Sequence, residues 1–153
     1  MSMKLQKQPN NWSCLPTAFA MVAHIPVSQF IEAIGHDGSD IIAPEYSDPY
    51  CRRSFHIQEI NDVCLAHNLS VTPIEVNPQG CVAGDRIINF NIGGLKRVEK
   101  YMKKYRCVLI GSGFPTYKPH AVAWNRLYIY DPNFSIYEYD SRLFKIEIAY
   151  IIF

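Results

Sequence analysis

The chain has 153 residues, enough for one hydrophobic core and too few for two, so a single domain spanning residues 1–153 is expected. With 48% hydrophobic and 19% charged residues it is not a disordered chain, and a formal net charge of +1 without a basic block excludes charge-driven nucleic-acid binding. The N-terminal residues have no signal-peptide pattern and no apolar run is long enough to span a bilayer. The five cysteines are an odd number, so a cytoplasmic protein with reduced thiols is expected.

The first regular element is a helix over "SCLPTAFAMVAHI". Ser13 or Cys14 stands at its N-terminal boundary, and Pro16 falls in the first turn, where a missing N–H does no harm. "PVSQFIEAI" is a second helix stopped by Gly35. Residues 36–54, with Pro, Gly, Asp and Ser interspersed, form an irregular surface segment. "SFHIQEINDVCLAHNL" is a third helix with Ser54 as N-cap, and Ile57, Ile60, Val63, Cys64 and His67 lie along its apolar stripe. "SVTPIEV" is a strand, and residues 77–91 are a loop. "GGLKRVEKYMKKY" is a fourth helix with a solvated basic face, and "RCVLIGSG" is a buried strand. From residue 119 the pattern changes to strands, "PHAVAW", "LYIYD", "SIYEY" and "FKIEIAYIIF", separated by turn signals. Helices followed by an antiparallel sheet make an α+β fold.

Cys14, His120 and Asp131 carry the chemistry in this layout. A thiol is mostly protonated at neutral pH, so a nucleophilic cysteine needs a helix N-terminus or a cationic neighbour, and Cys14 has the first by position. His120 opens the strand "HAVAW" and Asp131 closes "LYIYD". If Asn125 and Arg126 form the tip of a hairpin, Trp124 pairs with Leu127 and His120 falls directly opposite Asp131. Such an Asp would accept the Nδ1–H of the imidazole and stabilise its protonated form beside a thiolate. Gln8, six residues before Cys14, would supply a side-chain donor for an oxyanion alongside the Cys14 backbone N–H.

These residues carry a family resemblance. "QPNNWSCLPTA", "PHAVAW" and "YDPN" resemble the papain-like cysteine peptidases, and most closely the bacteriocin-processing, double-glycine leader peptidase branch. In that family a glutamine precedes the nucleophile by six residues, a histidine opens an apolar strand, and an Asp-Pro closes the next. The resemblance implies a papain-like fold and a peptidase acting on a peptide or protein, with Cys14, His120, Asp131 and Gln8 as catalytic residues and without metal or cofactor. Glutamine deamidation, a transglutaminase-like reaction and a binding module without turnover are the alternatives on the same fold. Two departures stand out. Leu15 replaces the family's glycine beside the nucleophile and is expected to crowd the groove or alter specificity, and the connection between His120 and Asp131 is short.

Other residues have simpler readings. Trp12 and Trp124 are groove walls or core. Cys51, His56, Cys64 and His67 are zinc-competent residue types, but Cys51-x4-His56 is not a knuckle spacing, and Cys64 and His67 follow an apolar stripe. Cys81 reads as a loop thiol and Cys107 as a buried strand thiol.

Overall fold

The computed structural model describes residues 2–113 and 118–153. Three helices come first: α1 (Cys14–Ala23), α2 (Val27–Ile34) and α3 (Ile57–Ala66). Strand β1 (Val71–Glu75) is followed by β2 (Gln79–Ala83), β3 (Arg86–Asn89) and helix α4 (Gly94–Lys104). The chain ends in β4 (Cys107–Gly113), β5 (Pro119–Trp124), β6 (Ile129–Asp131), β7 (Ser135–Tyr137) and β8 (Phe144–Ile152). An antiparallel sheet of order β1-β8-β4-β5-β6-β7 is the centre of this α+β fold.

Alternation along the central strands divides the core in two. Val108 of β4 and Ala121 and Ala123 of β5 join Phe19, Phe30 and Ile60 of the first three helices. Leu109, Val122 and Trp124 point the other way, onto Val98 and Met102 of α4. The fourth helix therefore covers the face opposite the first three. Burying large apolar side chains such as Phe19, Phe30 and Leu109 stabilises the fold by about 1.5–3 kcal/mol each.

α1 is buried from Pro16 through Val22, and it ends where His24 turns into the left-handed region at φ 58°. Ser13 is the N-cap residue without capping through its side chain; its hydroxyl donates instead to Asn10 Oδ1 at 2.6 Å. The first turn of α1 thus begins with neither a side-chain cap nor an acidic residue, directly at Cys14.

Three local expectations are corrected. His56, not Ser54, caps α3: its Nδ1 accepts from Gln58 N at 3.0 Å, and Glu59 Oε2 accepts from His56 N at 3.1 Å, a reciprocal capping box. Ser54 sits outside the helix at φ 56° and donates its hydroxyl to the Trp12 carbonyl at 2.8 Å. Within 77–91, β2 and β3 pair as a hairpin turning at Gly84, whose φ of 66° suits a residue without Cβ. Cys81 therefore has its backbone in a strand, while its side chain lies outside what the structure describes.

Candidate active site

The site forms where the start of α1 meets β5 and β6. Cys14 is the first residue of α1 and is half-buried; His120 is the second residue of β5 and Asp131 the last of β6. The hairpin tip lies one residue later than expected, at Arg126 and Leu127, because the Asn125 side chain accepts from Leu127 N and Tyr128 N and Arg126 takes φ 82°. Trp124 consequently pairs with Ile129 rather than Leu127. A slip of two residues preserves the faces, so His120 and Asp131 become diagonal neighbours instead of a direct pair. The imidazole closes that diagonal with Nε2 at 2.8 Å from Asp131 Oδ1. The ring nitrogen that meets the carboxylate is therefore Nε2, not Nδ1. The Cys14 side chain reaches the ring and contributes to its electrostatics.

Burial alone would lower the pKa of His120. The hydrogen bond to Asp131 and the contact with Cys14 outweigh it, and the imidazole is pushed up to about 10. Burial likewise acts to raise Asp131, but its bonds to His120, Tyr137 and the Asn133 amide hold it below the usual carboxylate range. The sequence reading missed Tyr137. Its hydroxyl donates to Asp131 Oδ2 at 2.6 Å, and a strand register running back across the Pro132-Asn133 turn was the signal that points to it.

Cys14, His120, Asp131 and Gln8 line one cleft of about 820 Å³. Gln8 is tied to the turn after Asp131: its backbone N donates to the Pro132 carbonyl at 2.8 Å, and Nε2 donates to Asn133 Oδ1 at 3.0 Å. Asn133 N in turn donates to Asp131 Oδ1 at 2.9 Å, so one turn holds both the glutamine and the aspartate.

Asp48, Pro49 and Tyr50 form a wall of the cleft from within the irregular 36–54 segment. Trp12 Nε1 donates to the Asp37 carbonyl at 2.8 Å, and the Arg52 guanidinium lies 4.5 Å above the Trp12 ring. Arg53 and His36 converge on Glu59 at 2.5 and 2.9 Å. Across the cleft, Lys118 Nζ stands 5.8 Å from the centre of the Tyr50 ring.

Leu15 does not line the cleft; its side chain packs half-buried against the helical core, so the crowding expected of it is not observed. Neither tryptophan lines the cleft. Trp124 donates to the Met102 carbonyl inside the second core, and Trp12 anchors the 36–54 segment. Cys64 is fully buried, His56 caps α3, Cys51 donates to Asp48 Oδ1, and His67 Nδ1 lies 2.9 Å from the Val63 carbonyl oxygen. Among the described residues no cluster of three His, Cys, Asp or Glu side chains is arranged to hold a metal.

No protein-family model and no curated protein matches the chain. Among solved structures it is similar to a double glycine motif protease from an AMS/PCAT transporter, crystallised in complex with the leader peptide. The TM-score is 0.59 at 14% sequence identity, over 99% of this chain and 91% of that one. The chain has the papain-like fold. In this papain-like domain the helix that starts at Cys14 packs on the strands that carry His120 and Asp131. No single helix among the described residues is long and apolar enough to cross a membrane.

Proposed function

We propose that this papain-like domain is a cysteine peptidase acting through Cys14, His120 and Asp131. The observation that carries the reading is the imidazole bonded to Asp131, with Cys14 close enough to act on its charge and all three residues in one cleft. His120 can hold the proton that the sulfur gives up on attack, and the uncapped start of α1 presents its partial positive charge there. The sulfur attacks the carbonyl carbon of an amide, and the resulting oxyanion meets the Cys14 backbone N–H and the remaining Nε2–H of Gln8. As the C–N bond breaks, His120 gives its proton to the departing amine and a thioester is left on Cys14. Water then attacks the thioester, His120 takes its proton, and the C–S bond breaks to return the thiolate. The leader peptide bound to the structural neighbour supports an extended peptide as substrate.

The test is incubation of the protein, and of a Cys14→Ala variant, with a cellular proteome, followed by mass spectrometry. New peptide termini that depend on Cys14 are expected. Glutamine side chains converted with a gain of about 1 Da and no new termini would overturn peptidase in favour of deamidase chemistry. No Cys14-dependent change of either kind would overturn enzymatic function. A faster readout is alkylation by iodoacetamide at pH 6, where Cys14 is expected to react ahead of Cys51 and to lose that advantage in His120→Ala.

A further inference from the structure

Asp131 is 6% exposed and holds three hydrogen bonds. Oδ1 accepts from His120 Nε2 at 2.8 Å and from Asn133 N at 2.9 Å, and Oδ2 accepts from the Tyr137 hydroxyl at 2.6 Å. The terminal torsion of the carboxylate has a broad minimum and turning about it moves both oxygens, so the first two bonds, which meet on Oδ1, restrain it from one side only. The Tyr137 hydroxyl on the second oxygen restrains it from the other. The hairpin of β6 and β7 places it: Asp131 pairs with Ser135 and Ile129 with Tyr137, so Tyr137 is the diagonal neighbour of Asp131 on the same face.

We propose that Tyr137 is a positioning residue that fixes the plane of the Asp131 carboxylate so that Oδ1 stays aimed at His120. This deepens the triad reading and rests on it for its catalytic meaning. Tyr137 acts through Asp131, to which its hydroxyl is bonded, from the cleft wall it shares with Cys14. The groups facing the carboxylate are His120 from β5, Tyr137 from β7 and the backbone amide of Asn133. A hydrogen bond donated to a carboxylate stabilises its ionised form, so the tyrosine also keeps Asp131 charged.

The test is Tyr137→Phe, which deletes one oxygen and keeps the ring, with Tyr139→Phe as control. Tyr139 belongs to the α4-side core and does not line the cleft. Followed by carbon-13 NMR of the labelled carboxyl, the Asp131 titration is expected to move up by about one pH unit in Tyr137→Phe. It is expected to stay in place in Tyr139→Phe. Alkylation of Cys14 at pH 6 is expected to slow by about threefold or more in the first variant only. An Asp131 titration that does not move in Tyr137→Phe would overturn the proposal, and a loss of thermal stability alone would reduce the tyrosine to a packing role. Wild-type Cys14 that alkylates no faster than Cys51 would instead sink the triad reading, because the Asp131 titration reports on Tyr137 without reference to turnover.

Discussion

At the scale of single residues, His120 shows how a local slip can leave a side-chain pair intact. Moving the hairpin tip by one residue changes the pairing of Trp124, yet the histidine and the aspartate stay on one face and meet through Nε2. Replacing Asp131 by Asn keeps the shape and removes the charge. We expect it to lower turnover by about 10²–10⁴-fold, measured on a peptide cleaved in the proteome experiment. The same pair sets a pH dependence of stability. His120 is raised in the folded chain to about 10, so its contribution is full below its unfolded value near 6.5 and is lost as pH rises through about 10. Asp131 is depressed, so its contribution is present above about 3.9 and is lost as pH falls. Urea unfolding of wild type and His120→Ala should therefore differ most between about pH 4 and 6.5 and converge toward pH 10 and above. A gap that ignores pH would count against the pair.

Individual elements are where most of the molecule was legible. The four helices and six strands of the main sheet lie where periodicity, Pro16 and Gly35 placed them, because a 3.6- or 2-residue repeat of apolar side chains is a local property. The β2–β3 hairpin was missed because β3 is exposed at every residue and buries no apolar face that would mark a strand. His56 takes the cap of α3 because Ser54 is drawn away by the Trp12 carbonyl, a contact 42 positions distant in the chain. The 36–54 segment, read as irregular, is a cleft wall held by Arg53, His36 and Glu59. Arg53 chiefly, with the His56 amide and His36, holds the Glu59 carboxyl down at about 2. Glu59→Ala should make residues 36–54 the first site of limited proteolysis while leaving the unfolding transition of the sheet nearly in place. Gly111 pairs with His120 on one side and approaches β8 on the other, where an added Cβ would lie 2.0 Å from the Lys145 carbonyl oxygen. Gly111→Ala is expected to cost about 1–3 kcal/mol by urea unfolding, because backbone rather than a side-chain end must move.

For the molecule as a whole, two cores on opposite faces of one sheet decide which thiols meet solvent. Cys107 lies between β4 and α4, where burial pushes its thiol far up, and burial in the helical core pushes Cys64 up to about 11. Cys51 is 7% exposed and its thiol is raised, chiefly by donating to Asp48. Cys14 is half-buried at the cleft. With Cys81 replaced by Ser, counting the remaining four thiols with a disulfide reagent at neutral pH should find Cys14 modified first and Cys51 later. Cys64 and Cys107 should react only with unfolding. Simultaneous modification of all four would contradict the two-core arrangement.

By itself the sequence determined the α+β layout, the helix that begins at Cys14, and the candidate residues Gln8, His120 and Asp131. These rest on short-range periodicity, on turn residues and on motif spacing. Only the tertiary structure decided that α4 crosses to the opposite face and that Nε2 rather than Nδ1 meets the aspartate. It also decided that Tyr137 holds the second carboxylate oxygen, that Leu15 turns into the core, and that Asp48, Pro49 and Tyr50 wall the cleft. Each of these depends on which segments far apart in the chain are brought into contact, a choice made by burial of apolar faces and satisfaction of buried polar groups, and one that no local pattern encodes.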